Sequence, residues 1–513
     1  MTLVERMRIL TLHAPDTPAG LQRALGWAGA VLLGAFVLLA PLSYAVAAVS
    51  PFGLHQEPEA SSFLSALSRL PVPALAASEF VQQQLTGDSL LAVAWVRTVA
   101  VMTPLLVATA AAASALWLLA RGRHLVTERT ITLITRVAVV VGIVSALSYP
   151  MFTQDMWVSV VWGRMLLDGV NPYYEFFSES ALEGTPLVGF PIRMTYGPLW
   201  AWWSAGIAGL GGGDAIRTFV VWKAMLLACW LGMLWLIRAI LSAASPARRA
   251  AALCFAGWWP VSAHFAVGEA HNDIVMVVLL VLWLYMHVRR IPWAILALAA
   301  SVLVKYVTAP LLVIEAWQAW MNRRRQPWAY AIWGGMAVAL TAALTLPLWR
   351  GANILAPALE MQGWHFLTPA HALTTVLHWA DVPASLEGLD LVGGLVFGSM
   401  AVHAMIRLAR GPDEQAVFSL ALALMCFVLF AGVGHGWPWY LVWVVPLVAV
   451  HGSGVLWRLT VCAAAAAPFL DIVWLLPAAW DALPVAGVAY FGSIAVLSVL
   501  PLNWRALEWG RWT

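Results

Sequence analysis

The chain has 513 residues, of which 62% are hydrophobic and only 10% charged, and its mean hydropathy is +0.82. A water-soluble domain of this size carries far more charge, so lipid must be the solvent for most of the surface. The formal charge of +3 says little by itself, and there is no basic array suited to nucleic acid, no phosphate-cradling glycine loop, no CxxC and no paired-histidine metal motif. The 31 Trp residues suit two interfacial belts and a pocket for a sugar or an isoprenoid. Cys229, Cys254, Cys426 and Cys462 all lie inside apolar runs, which reads as small core residues and no disulfide.

Arg6, Arg8 and Arg23 precede the first apolar run and favour a cytoplasmic N-terminus. That run, 25–49, ends in Ala45-Val46-Ala47 but is longer than the roughly 7–15 residues of a signal-peptide core, so it reads as an uncleaved span. Residues 50–88 form a first outer loop, 90–120 returns to Arg121, Arg123 and Arg129 inside, and 130–149 leads out to Asp155. The chain then turns polar and aromatic until about residue 195. The apolar stretch 196–210 has about 15 residues where a crossing needs about 20. It reads as a helix lying in the outer interface, anchored by Trp200, Trp202 and Trp203, which also keeps Arg248 and Arg249 inside.

Spans at 217–241, 250–267 and 274–288 follow, with Gly268-Glu269-Ala270-His271-Asn272-Asp273 outside and Arg289 and Arg290 inside. Only about 32 residues separate Arg290 from Arg323, although two crossings need about 40. This predicts a short hairpin whose tip, Lys305-Tyr306 to Pro310, stops within the membrane, where an ammonium requires a wet cavity or a partner charge. Spans at 328–348, 391–408 and 416–433 and three more near 439–452, 454–476 and 485–502 complete the count. The outer segment 350–390 holds Glu360, His365, His371, His378 and Asp381. The expected fold is all-α and polytopic, with about 14 crossings and both termini cytoplasmic. No clean repeat and no soluble domain are visible.

Four clusters fall on one side by this count: Asp155, Glu269 to Asp273, Lys305 with Tyr306, and His435 to Tyr440. Each has a plainer explanation. Asp155 is also placed to cap the following helix, and His271-Asn272-Asp273 to form a turn and cap. Lys305 is long enough to snorkel, and Trp437, Trp439 and Tyr440 suit an aromatic belt. Arg97, Glu315 and Asp471, inside apolar runs, read as members of structural polar pairs whose partners the sequence does not name.

The order of these pieces resembles a known family. A span ending in an acid, a long outer loop, Tyr196-Gly197-Pro198-Leu199-Trp200 and then His271-Asn272-Asp273 are similar to the polyprenyl-phosphate-sugar-dependent glycosyltransferases of the GT-C superfamily. Lys305-Tyr306 before Pro310-Leu311-Leu312, and Pro438-Trp439-Tyr440-Leu441-Val442-Trp443, bring the resemblance closest to the actinobacterial α-1,6-mannopyranosyltransferases. It covers roughly residues 130–450. One departure is that many superfamily members pair two acids in the first loop, whereas this chain has Asp155 alone, after the third span rather than the first. The organisation expected is an N-terminal pair of spans over 1–129, a GT-C-like core over 130–450 with its outer loop at 152–216, and C-terminal spans over 451–513.

The resemblance implies a polyprenyl-phosphate-linked hexose donor, mannose favoured, and a lipid-linked or glycan acceptor at the extracytoplasmic face of a bacterial cytoplasmic membrane. Asp155 is then the general base of an inverting transfer. Lys305, His435 and Arg193 are placed to meet the leaving lipid phosphate. Glu269, His271, Asn272, Asp273, Tyr196 and Tyr306 are candidates for sugar or acceptor binding, and Trp437, Trp439 and Tyr440 for stacking. Asp155, Glu269, His271 and Asp273 form a donor set that would suit Mg²⁺ or Mn²⁺, but a lone acid with a cation nearby resembles the metal-independent members, so no cofactor is expected. An ion-coupled transporter using Asp155, Asp273 and Lys305 is the rival reading, and a non-enzymatic assembly protein of a polysaccharide pathway is a third.

Overall fold

The computed structural model describes residues 15–47, 88–177, 179–182, 185, 192–324, 326–362, 366–411, 413–468, 470, 479–500 and 504–511. His365 and Asp471 lie outside these residues, as does most of the first outer loop, and the side chain of Arg97 is likewise outside the description. Among the described residues the secondary structure is helical throughout, apart from one isolated bridge between Phe366 and His435.

The principal helices are α1 (Pro18–Ala47), α2 (Asp88–Arg121), α3 (Glu128–Ala146), α4 (Asp155–Leu167), α5 (Pro198–Gly211), α6 (Ala215–Ile240) and α7 (Pro246–Trp258). They continue with α8 (Asp273–Val288), α9 (Ala294–Val304), α10 (Leu312–Asn322), α11 (Pro327–Thr345), α12 (Leu386–Arg410) and α13 (Glu414–Phe427). The last are α14 (Val445–His451), α15 (Gly454–Ala466) and α16 (Ala479–Val499). Their starts carry ordinary signals. Asp214, Ser245, Ser385 and Asp413 each accept a backbone N–H as N-caps, Thr127 and Thr130 form a capping box, and Pro198 and Pro246 occupy first-turn positions.

Among the described residues seven helices are long and apolar enough to cross a membrane, or eight if α7 and the π-helical turn Val261–Gly268, bent by 43°, form one broken span. The break falls at Pro260, which cannot donate to the preceding turn. Five further apolar helices among the described residues are shorter than a full crossing, so the 14 crossings expected from run lengths are not reached there. The hairpin at Lys305 is short, as expected. α9 and α10 have 11 residues each and are joined by the 3-10 turn Tyr306–Leu311. At about 1.5 Å per residue, each reaches about half of a 30 Å hydrocarbon core.

The packed core surrounds α4, the Pro246–Gly268 pair, α8 and the segment around Pro438–His451, where almost every side chain is buried. α11 and α12 are peripheral, with 11% of their apolar windows buried inside the protein. α5 lies against α4. A Cβ at Gly163 of α4 would collide with the Ser204 backbone of α5, so glycine is what allows the two helices to meet at this distance. One expectation for α5 needs correction. Trp202 and Trp203 are partly exposed, but Trp200 is fully buried and donates its indole N–H to Ser159 Oγ at 3.2 Å. Helical periodicity turns Trp200 inward with Ala201, Ser204 and Ala208, so it anchors α5 to α4 and not to an interface.

Candidate active site

Asp155 is the first residue of α4, and Gln154 occupies the cap position without a side-chain capping bond. The carboxylate turns away from the helix, and its Oδ2 lies 3.2 Å from His271 Nδ1. Its own backbone N–H donates to Thr153 Oγ1 at 3.0 Å. Asp155 therefore does not cap its helix. Its side chain is 33% exposed, whereas that of His271 is fully buried. Desolvation pushes the carboxyl pKa up, but hydrogen bonds from His271 and Thr153 and the charges of His271 and Lys305 hold it below the usual carboxylate value.

His271-Asn272-Asp273 leads into α8, again with no side-chain cap at its N-terminus. The three residues are 0–2% exposed. His271 Nε2, both amide heteroatoms of Asn272 and Asp273 Oδ2 are buried without a protein hydrogen-bond partner. Four unpaired polar atoms on consecutive residues are unusual, because buried polar groups are nearly always satisfied. Such a cluster fits a place where substrate hydroxyls or ordered water complete the bonding.

Asp273 Oδ1 accepts from Lys305 Nζ at 2.7 Å and also from the indole of Trp443. Lys305 is enclosed by aromatic faces, with Tyr440 at 4.4 Å, Trp443 at 4.9 Å and Tyr196 at 5.2 Å from Nζ to the ring centroids. Burial and the nearby carboxylates of Asp155 and Asp273, with Tyr440, raise the Tyr196 hydroxyl well above its usual pKa, so it stays protonated. Gly197 brings this arrangement together. Its N–H donates to the Val304 carbonyl at 3.0 Å, and a Cβ there would overlap the Leu303 carbonyl. The Tyr-Gly-Pro stretch thus lies directly on the end of α9, next to Lys305.

A second aromatic element approaches from the late segment. His271 stacks on Trp439 at 4.1 Å, and Trp439 stacks on Trp437 at 4.8 Å. His435 Nε2 lies 3.1 Å from the Tyr440 hydroxyl, and Tyr440 stacks on Trp443 at 4.2 Å. The structure therefore joins Asp155, His271, Asp273, Lys305, Tyr196, His435, Trp437, Trp439 and Tyr440 through direct contacts.

Other expected residues stand apart from these contacts. Arg193 forms an ion pair with Glu360 at 2.6 Å and lies over Phe176. Tyr306 lies against Tyr173, the hydroxyl of which donates to the Tyr196 carbonyl. Glu269 is 1% exposed, and its Oε2 accepts the backbone N–H groups of Met151 and Phe152. Glu315, left without a named partner by the sequence, accepts from Trp283 Nε1 at 2.6 Å and lies 2.7 Å from His287 Nδ1.

Sequence reasoning assigned no role to Thr153 and Trp443 and missed Lys223. Lys223 had a signal that was available. The chain contains only two lysines, Lys223 and Lys305, and both lie in apolar runs.

Among the described residues no group of three or more His, Cys, Asp or Glu side chains could hold a metal ion.

The family described as alpha-(1->6)-mannopyranosyltransferase, N-terminal domain (MptA_B family) matches residues 60–322. That segment holds Asp155, His271, Asp273 and Lys305, whereas the aromatic segment after His435 lies beyond it. No curated protein matches the chain.

Proposed function

Because the chain belongs to the alpha-(1->6)-mannopyranosyltransferase family, we propose that it transfers mannose from a polyprenyl-phosphate donor to a lipid-linked or glycan acceptor. The apolar helices and the family together make it a membrane glycosyltransferase. The proposed place of reaction is the extracytoplasmic face of a bacterial cytoplasmic membrane, in keeping with the arginine distribution along the chain.

The observation that carries the mechanism is the Asp155–His271 pair. It offers an ionised, partly exposed carboxylate held in one orientation by a buried imidazole. Asp155 takes the proton of the acceptor hydroxyl as that oxygen bonds to the mannose C1. The bond from C1 to the phosphate oxygen breaks on the opposite face, so the transfer inverts the anomeric centre. His271 keeps the carboxylate aimed and stabilises its charge. The unpaired atoms of His271, Asn272 and Asp273 are the partners proposed for sugar hydroxyls, and the Trp437–Trp439 stack for an apolar ring face or the first isoprene units.

Of the three candidates for the leaving phosphate, Lys305 has its ammonium on Asp273 and three rings. We assign it the electrostatic field at Asp155. The phosphate contact then falls to His435, because Arg193 is itself ion-paired with Glu360. Incubating the purified chain with polyprenyl-phosphomannose and a mannoside acceptor should give an elongated product of inverted anomeric configuration. Transfer only from a nucleotide sugar, or no transfer with either donor, would reject the reading.

A further inference from the structure

Lys223 has no part in the chemistry described above, yet it is 3% exposed on α6, and its ammonium binds backbone carbonyls and lies 5.4 Å from the centroid of the Phe219 ring. It donates to the Val267 carbonyl at 2.7 Å and to the Gly268 carbonyl at 2.5 Å. The preceding residue, Trp222, donates its indole N–H to the Ala270 carbonyl at 3.2 Å. Ala270 holds a φ of 60°, a left-handed conformation that a non-glycine residue keeps only when its surroundings impose it. α6 thus grips the turn that delivers His271.

Glu269, inside that gripped turn, reaches the other way. Its Oε2 accepts the N–H of Met151 at 2.8 Å and of Phe152 at 2.9 Å, in the turn that delivers Asp155. The other oxygen, Oε1, has no protein hydrogen-bond partner, and His264 Nε2 lies 3.9 Å from it. Lys223 therefore holds the end of the bent span, and Glu269, the residue after that span, ties it to the segment after α3. The two catalytic segments are about 115 residues apart in sequence and meet through this connection.

Burying a charge is costly unless hydrogen bonds compensate it, and here Lys223 and Glu269 each make two hydrogen bonds to backbone groups. Glu269 differs from His271, Asn272 and Asp273 in that one of its oxygens already accepts two backbone N–H groups of the turn before Asp155. We infer that Glu269 and Lys223 are positioning residues that set the distance between Asp155 and His271, and that Glu269 is not a sugar ligand. This rests on Asp155 being the base.

The test is a steady-state comparison of the full-length chain and its variants, reading kcat, the KM for donor and acceptor, and the unfolding temperature. Glu269→Ala removes the acceptor of both N–H groups. It is expected to lower kcat by about 10²-fold, the effect of a misplacement of about 1 Å, with both KM values within about threefold of the parent. Glu269→Gln can still accept both N–H groups and is expected to keep kcat within about tenfold of the parent. Adding Lys223→Met to Glu269→Gln removes the uncompensated ammonium and is expected to raise the unfolding temperature above that of Glu269→Gln alone.

If Glu269→Ala fails to fold, Glu269→Asp, one methylene shorter, takes its place and should lower kcat in the same way. A raised KM with parental kcat would make Glu269 a substrate ligand and overturn the inference, as would parental kcat in Glu269→Ala or Glu269→Asp. Asp155→Asn, assayed in parallel, separates the two levels. If it retains transfer, the base assignment fails. If it is inactive while Glu269→Ala keeps parental kcat, only the positioning inference fails.

Discussion

Replacing Lys305 by Met keeps the apolar stem of the side chain and deletes its charge. In the parent, Lys305 Nζ lies 2.7 Å from Asp273 Oδ1, with the two side chains 8% and 1% exposed. After the substitution Asp273 would retain one donor, the Trp443 indole, while its Oδ2 already has no partner. Leaving one member of a buried ion pair uncompensated costs about 3–5 kcal/mol, and loss of the cation from three aromatic faces adds roughly 0.5–2 kcal/mol. Removing the second charge as well, with Asp273→Asn, should return most of the first amount, because a buried pair contributes little net stability relative to neutral partners. Chemical unfolding of the parent, both single variants and the double variant in detergent micelles gives the full cycle. A coupling of several kcal/mol is expected. If Lys305→Met costs under about 1 kcal/mol and instead weakens donor binding tenfold or more, the ammonium serves the leaving phosphate and the paired geometry has been over-read.

Gly197→Ala places a methyl group on the Leu303 carbonyl and strains the Gly197–Val304 hydrogen bond. It should lower stability by about 1–3 kcal/mol and slow transfer, because Tyr196 leaves its place over Lys305, and unfolding and transfer assays on the same preparation check both. The pH dependence follows from the depressed pKa of Asp155. The stabilising contribution of its ionised form is complete above the unfolded value of about 3.9 and is lost as pH falls through the lower folded value. kcat/KM for transfer should therefore stay flat from neutral pH to about pH 5 and fall only below about pH 4. An acid limb near pH 6–7 would point to a different base.

Much of the fold was legible because run length and arginine placement are direct consequences of a lipid environment. The hairpin around Lys305 was recognised by simple arithmetic, since too few residues separate two basic boundaries. The number of crossings was less legible. Apolar runs do not reveal that Pro260 bends one span or that α8 stops at 16 residues. Rotation about a helix axis is similarly hidden within a uniformly apolar stretch. Trp200, Trp202 and Trp203 therefore looked alike, although one is core and two are partly exposed. At the site, residue types suggested an acid, a cation and aromatics, but not who meets whom. Asp155 is readable as a cap from sequence alone, whereas its carboxylate turns toward His271, and residue type does not reveal that one Glu269 oxygen binds the backbone before Asp155. Lys223 was missed because its partners are main-chain carbonyls, which carry no sequence signature.

The central claim is that Asp155 is the general base, and Asp155→Asn tests it most directly. Asparagine matches the carboxylate in size, can keep a hydrogen bond to His271, and cannot accept the acceptor proton at neutral pH. Transfer from polyprenyl-phosphomannose should fall by roughly 10²–10⁴-fold, with donor affinity and unfolding temperature close to the parent. Turnover within a few-fold of the parent would contradict the assignment and leave Asp155 a structural partner of His271.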